Sequence, residues 1–425
     1  MKDTHLTLQE IRDLLENDDT EIRNRLLLHH LAICPECYGE AGHILDLHHE
    51  GWLADGLCTT ELELAKSRKE ARAPLEELLR RSTEEQKALI PDTARFKSWG
   101  LAELLCLRSE EEAAGDPKRS QDLAKAAVAV AETLDEWEPA EKHWLYLLRG
   151  YCAAHLGNAL RVQGDFRGAE EAFTTANLWW APAFADVGDV LGYEARFLAF
   201  KASLRRDERH FEEALSLIEE ALEAHPAPSL RLKILINKAK TYEEMGDLEM
   251  AIEVLGAARA EAGEGEGDPR VRLCLEQNRL DYLSKAERYM EAKLALADVA
   301  ALGRELGTEL DALRLRWTEA RIARGLGDTE GAIALLKEIH KHLVAEGLLY
   351  DSALLSLELA LIFKESRRPA ETREWVASAL PILSALSVER EALAALSLLT
   401  SAVEEERITA ELVSQALDVF RRAKR

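Results

Sequence analysis

Along most of the chain, apolar positions fall on one helical face and keep returning to the same register. The blocks "GDFRGAEEAFTTA" (164–176), "RHFEEALSLIEEA" (209–221), "GDLEMAIEVLGAA" (246–258), "ERYMEAKLALADV" (287–299), "GDTEGAIALLKEI" (327–339) and "RRPAETREWVASA" (367–379) align without gaps. Their central small residues are Ala169, Ala214, Ala251, Ala292, Ala332 and Thr372, separated by 45, 37, 41, 40 and 40 residues. A bulky residue follows four positions later, at Phe173, Ile218, Leu255, Leu296, Leu336 and Val376. Ala176, Ala221, Ala258 and Ala379 come three positions after that. "SQDLAKAAVAVAETL", centred on Ala124, reads as an earlier copy, 45 residues before Ala169. An apolar helix precedes each block and ends near a Gly-Asp or similar turn. A period of about 40 residues built this way predicts stacked helical hairpins, an α-solenoid.

The first 50 residues follow another pattern. "THLTLQEIRDLLEN" places Leu6, Leu8, Ile11, Leu14 and Leu15 at helix-face spacing, with Thr7 and Glu10 in capping-box relation. "DDTEIRNRLLLHHLAI" and "CPECYGEAGHILDLHHEGWL" predict two more helices, the latter with Pro35 in its first turn. Three short helices bury little apolar surface, so such a unit needs a staple or a partner. Residues 59–95 predict a helical connector, with Leu62, Leu64, Leu75, Leu78 and Leu79 assigned to no repeat. Between Lys66 and Lys97 it holds nine Lys/Arg against six Asp/Glu, whereas residues 1–50 hold four against eleven. Either the basic stretch meets an acidic partner, or the helix is solvated and caps the first hairpin.

Composition narrows the function classes. The formal charge of −24 over 425 residues argues against direct nucleic-acid binding, which needs excess Lys and Arg. No apolar run approaches the ~20 residues of a membrane span, and the polar start "MKDTHLTLQE" does not read as a signal peptide. Six cysteines in so long a chain make no disulfide framework, which points to a reducing cytoplasm. Catalytic signatures are missing: there is no Gly-rich phosphate loop, no His-Glu-x-x-His and no Gly-x-Ser-x-Gly. A non-enzymatic protein is expected.

The candidate chemistry lies in "HHLAICPECYGEAGH", residues 29–43. A Cys-x-x-Cys loop directs the sulfurs of Cys34 and Cys37 to one point, and His30 lies one helical turn before Cys34. Closed tetrahedral zinc needs a fourth ligand. His5 is the best placed, because an antiparallel hairpin of 25 residues returns the chain beside His30. His29, His43 and Cys58 are the weaker choices. A redox pair or an inert helical core are the competing readings, although no strand precedes the motif as a redox Cys-x-x-Cys normally requires. Structural zinc contributes an apparent ~10–16 kcal/mol of binding energy, enough to hold a thin 50-residue unit.

Two resemblances follow. The blocks between about residues 96 and 400 resemble tetratricopeptide repeats. First helices supply Gly157 and Leu160, Ala239 and Tyr242, or Ala202. Second helices supply the small and bulky residues above, and Pro182 and Pro226 sit near the closing positions. The repeats run longer than the family's usual 34 residues. The resemblance implies binding of protein or peptide, and maps concave-face positions onto Asn158, Arg161, Asn237, Lys240, Asn278, Asp281, Arg314, Arg321 and Arg324. The three last arginines would suit an acidic peptide. The set His5, His30, Cys34 and Cys37, with "LTLQEIRDLLEND" after the first histidine, resembles the zinc-binding anti-sigma factor domain. That resemblance covers about residues 1–58 and implies one zinc ion and sequestration of a sigma factor of the extracytoplasmic-function class.

The remaining features read as structure. Trp179 and Trp180 pack at a hairpin end, Cys106, Cys152 and Cys274 belong to the core, and His340 and His342 are solvated. The chain is thus expected to be all-α: a zinc-binding helical bundle (1–58), a helical connector (59–95) and a tetratricopeptide-like α-solenoid (96–425). One reading is a cytoplasmic anti-sigma-like regulator whose solenoid takes a second protein or peptide. The other is an adaptor whose zinc unit is structural and whose array assembles protein partners.

Overall fold

The computed structural model describes residues 64, 66–113, 115–134, 142–187, 192–262, 268–385 and 409–423, and within them the chain forms 17 α-helices. The predicted zinc unit, with His5, His30, Cys34 and Cys37, lies outside the described residues. The chain divides into two compact units between Ile234 and Leu235.

The first unit opens on α1 (Arg72–Leu79), α2 (Thr83–Asp92) and a short 3-10 turn, Ala94–Phe96. Ser82 and Glu85 close a reciprocal capping box at the start of α2. Three hairpins follow: α3 (Trp99–Glu112) with α4 (Pro117–Glu132), α5 (Lys142–Val162) with α6 (Phe166–Val187), and α7 (Tyr193–Asp207) with α8 (Phe211–Glu223). Helix α9 (Pro228–Met245) carries the division. The second unit continues through α10 (Leu248–Ala262), α11 (Pro269–Lys285), α12 (Tyr289–Leu306), α13 (Glu309–Gly325), α14 (Thr329–Ala345), α15 (Leu349–Glu365) and α16 (Pro369–Ala385). It ends on α17 (Ala410–Ala423), which buries Val413, Ala416 and Leu417 against Ala353, Leu354 and Leu357 of α15.

The repeat register is built as the sequence predicts. Ala169, Ala214, Ala251, Ala292, Ala332 and Thr372 are all buried. Of the bulky residues four positions on, Phe173, Ile218, Leu255, Leu336 and Val376 are buried and Leu296 is half-buried. Val299 and Ile339 fill the position that alanine holds in the other copies. Facing them, two glycines of α5 let an aromatic ring of α6 approach the backbone. A Cβ on Gly150 would lie 2.3 Å from Trp180 Nε1, and one on Gly157 would lie 2.5 Å from Phe173.

Five residues before each small residue the chain turns left-handed: Gly164, Gly246 and Gly327 in three hairpins, Arg209, Glu287 and Arg367 in the other three. In all six the next N–H reaches back to the first helix, as Asp165 to Leu160, His210 to Arg205, Asp247 to Tyr242, Arg288 to Leu283, Asp328 to Ala323 and Arg368 to Phe363. These are Schellman closures, which satisfy carbonyls that a helix end leaves orphaned. After the glycines, Asp165, Asp247 and Asp328 cap the second helix by accepting from Gly168, Met250 and Gly331. After Glu287 and Arg367, an arginine stands there instead. Arg288 reaches Glu291 at 2.7 Å and Glu249 at 3.0 Å, and Arg368 reaches Glu371 at 2.8 Å and Glu330 at 2.9 Å.

Three details depart from the expectation. In the first hairpin the second helix starts at Pro117, capped by Asp116. The residue four past the cap, the place Ala169 holds after Asp165, is Ser120 and not Ala124. Ser120 is fully buried and trades hydrogen bonds with Ser109, Oγ to carbonyl, at 2.7 and 2.8 Å. The paired hydroxyls replace the small apolar contact, shifting the register by one turn. Pro182 lies inside α6 and does not close it, whereas Pro226 follows the end of α8, after His225 in the left-handed region. Cys274 is exposed on α11.

The connector is packed. Leu64, Leu75, Leu78, Ile90 and Phe96 join one buried cluster with Leu101, Leu105, Leu123 and Ala127 of the first hairpin, and Leu79 is partly buried against it. Helix α1 lies on α3, and α2 lies on α4. A Cβ on Gly100 would meet the Ser67 carbonyl oxygen at 2.4 Å, so glycine lets the two backbones touch. Leu64, Leu75, Leu78 and Leu79, which the sequence leaves without a repeat partner, are the seal on the first hairpin; Leu62 lies outside the described residues.

Candidate protein-binding face

First helices of successive hairpins touch one another, α3 with α5, α5 with α7, and α11 with α13. Their shared faces are where a tetratricopeptide-like array would present a ligand groove, and they hold the predicted binding residues. In the first unit Asn158 and Arg161 come together. Asn158 is buried and its side-chain oxygen accepts from Arg161 at 2.9 Å, while Arg161 also pairs with Asp207 of α7. Asp207 accepts from Arg206 too, and the two guanidinium groups outweigh burial to hold its carboxyl below the usual range.

In the second unit Arg314, Arg321 and Arg324 all lie on α13 but in different settings. Arg321 donates to Asp281 of α11 at 2.6 Å and to Glu358 of α15 at 3.0 Å, with its guanidinium over the Trp317 ring. Trp317 Nε1 donates to the other Glu358 oxygen at 2.8 Å. Arg324 pairs with Glu365 of α15. Arg314 is exposed. Two of the three arginines therefore spend their charge on neighbouring hairpins, and Arg314 alone faces solvent. Lys285 extends the same ladder by bridging Asp281 at 2.8 Å and Glu243 at 2.9 Å.

Two polar constellations in the first unit were not singled out by sequence reasoning. Glu103 of α3 is buried and accepts from Arg68 at 2.6 and 2.8 Å and from Tyr193 of α7. Burial opposes ionisation of Glu103, but Arg68 outweighs it and holds the carboxyl below its ordinary value. Two turns further along the same face, Glu110 takes Arg196 of α7 on one oxygen and Lys233 of α9 on the other, the latter at 2.9 Å. Against the cost of burial, these two cations pull Glu110 down to about 2. Beneath them Tyr151 stacks on Tyr193 at 4.0 Å, and His155 meets Tyr151 and Phe200 edge-on at 4.5 and 5.0 Å. His155 is buried with neither ring nitrogen hydrogen-bonded, and burial pushes it down to about 3, so it stays neutral. The inner face of the first unit is filled by its own side chains. The sequence signal is a pair of carboxylates, Glu103 and Glu110, two turns apart on an otherwise apolar helix face; their partners lie too far along the chain to be inferred.

The two tryptophans are packing residues. Trp180 is buried with Nε1 donating to the Leu147 carbonyl at 2.9 Å, and Trp179 lies between Tyr146 and Arg149. His340 is half-buried against Trp375, and His342 pairs with Glu309 at 2.7 Å. No group of metal-binding side chains occurs among the described residues. No described helix is long and apolar enough to cross a membrane.

The tetratricopeptide repeat family model matches residues 232–258. That stretch runs from α9 through the Gly246 turn into α10 and contains Ala239, Tyr242, Ala251, Leu255 and Ala258. No curated protein matches the chain. The matched repeat and the recurrent hairpin geometry on both sides of it make this an all-helical, tetratricopeptide-like array, a framework for protein–protein interaction.

Proposed function

We propose that this chain is a non-enzymatic regulator that works by holding other proteins. The array takes a protein or peptide. Residues 1–58 bind one zinc ion through His5, His30, Cys34 and Cys37 and engage a sigma factor of the extracytoplasmic-function class. The observation that carries the protein-binding reading is the six-fold recurrence of one hairpin closure in register with one buried small residue. The zinc and sigma-factor readings rest on ligand spacing and on the resemblance of residues 1–58 alone.

The adaptor reading, with the zinc unit purely structural, gains from one feature. Leu64, Leu75 and Leu78, the apolar residues of the connector that a sigma factor would cover, are buried on the first hairpin. A sigma factor would then have to be held by the zinc unit without the connector's apolar face. A fragment ending near residue 90 would bare those leucines, so the test uses the full chain. Wild type and a Cys34→Ser/Cys37→Ser variant serve as baits in the native cytoplasm. A sigma factor recovered by wild type and lost by the variant is the expected result. Recovery of the same other proteins by both baits, and of no sigma factor by either, would leave the adaptor reading in its place.

A further inference from the structure

Cys106 of α3 and Cys152 of α5 lie 46 residues apart in sequence, about one repeat, yet their Sγ atoms are 3.7 Å apart. Both are fully buried. They occupy the contact between the first helices of the first two hairpins, beside Tyr151 and His155 and below the clasp of Glu110, Arg196 and Lys233. The repeat pattern does not ask for cysteine here: at the register of Cys152, twelve residues before the left-handed turn, the other hairpins carry Phe197, Ile234, Leu275, Leu315 and Leu355.

We infer that Cys106 and Cys152 are a dithiol poised to close into a disulfide that staples the first hairpin, with its connector seal, to the second. The fold has already brought the two sulfurs into contact, so closing the 46-residue loop costs little beyond what folding has paid. A pair held this way forms a disulfide that resists reduction, because the two thiols freed by a reductant remain neighbours. Burial works on the rate and not on the equilibrium. It pushes the Cys106 thiol well above its ordinary range, so attack waits for an opening of the unit that admits water and a small oxidant.

With hydrogen peroxide as oxidant the step balances. The sulfur of one cysteine, its proton given to water, attacks a peroxide oxygen. The O–O bond breaks, leaving a sulfenic acid and hydroxide, which takes up a proton to become water. The second sulfur then attacks the sulfenic sulfur, the S–O bond breaks, and a second water departs. Two thiols lose two protons and two electrons, and one peroxide becomes two waters. The neutral imidazole of His155 adds no charge that would hold the thiolate in place, which keeps the pair dormant in the closed state.

The test uses the full chain. Protein is exposed to peroxide across a series of sub-denaturing urea concentrations, free thiols are alkylated, and peptides are mapped by mass spectrometry without reduction. The expected product is one cross-linked peptide pair joining Cys106 to Cys152, two hydrogens lighter than the separate thiol peptides, with a yield that rises with urea. The oxidised protein should melt several degrees higher, and dithiothreitol should reverse the gain slowly. Cys106→Ala and Cys152→Ala, each checked for helical content, should show neither cross-link nor shift; the oxidised wild type carries the test should either variant fail to fold. Recovery of Cys106 and Cys152 as separately alkylated peptides at urea concentrations that do oxidise Cys274, or cross-links pairing either with Cys274, would overturn the inference.

Discussion

Lys233 Nζ lies 2.9 Å from a carboxylate oxygen of Glu110, a pairing across 123 residues, and Arg196 holds the other oxygen. One carboxylate on α3 thus ties α7 and α9 to the first hairpin. Breaking a mostly buried pair strands the charges left behind. Glu110→Gln should destabilise the first unit by about 3 kcal/mol, and Lys233→Met by less because Lys233 is partly exposed, as read by urea denaturation.

The same clasp gives an acid limb to stability. Glu110 sits at about 2 in the folded chain, below its ordinary 4.5. Its contribution is present in full above the ordinary value and is lost as pH falls through the folded one. Melting temperature should therefore drop between pH 4.5 and 2, by an amount worth about 3 kcal/mol for this group. Glu110→Gln should flatten that limb; an unchanged limb in the variant would show that other carboxylates set it.

Glu287 holds a left-handed conformation where Gly246 and Gly327 hold it in neighbouring hairpins. No atom lies within 4 Å of where a Cβ would stand on those two glycines, so the difference is conformational alone. Glu287→Gly should stabilise the second unit by roughly 0.5–1 kcal/mol, and Gly327→Ala should destabilise it by about 1 kcal/mol. Equilibrium denaturation of the two single variants measures both signs.

Gly150→Ala has no such room, because the Trp180 indole stands 2.3 Å from the new carbon. It should cost about 1–3 kcal/mol through displaced packing. The fluorescence of a partly unseated Trp180 should shift toward the red.

How much of this was legible in sequence depends on range. Ala169, Ala214 and Ala251 announce their packing because the hairpin closes locally, within a few residues of each. Ser120 misled, since a mutually bonded pair with Ser109 substitutes for an alanine and no local pattern marks it. The connector's leucines fit no repeat because their apolar face meets a hairpin from outside the repeat period; of the two readings the sequence left open, the cap on the first hairpin is the one built. Arg161 and Arg321 pair with Asp207, Asp281 and Glu358 of neighbouring hairpins, partners that follow from packing between helices and not from any local pattern. The zinc candidates His5, His30, Cys34 and Cys37 keep the standing their spacing gives them.

Arg314 is the clean probe of an acidic ligand. Arg321→Ala would leave Glu358 buried without its guanidinium and would weaken the fold along with any binding. Arg314→Ala should leave the melting temperature within a degree of wild type. If the α13 face takes an acidic peptide, the variant should bind it several-fold more weakly, with the difference shrinking in high salt. Fluorescence anisotropy of a labelled acidic peptide would read the change.

The left-handed closures at Gly246, Glu287, Gly327 and Arg367 recur at 41, 40 and 40 residues. A chain cut at one closure and rejoined at the next meets an end of the same geometry, with the buried small residue still five positions on. Excising a whole hairpin, or duplicating one, keeps the closures of the second unit in register, whereas removing half of one breaks the register at the junction. In that sense the second unit is written in countable hairpins, and its length can be edited one hairpin at a time.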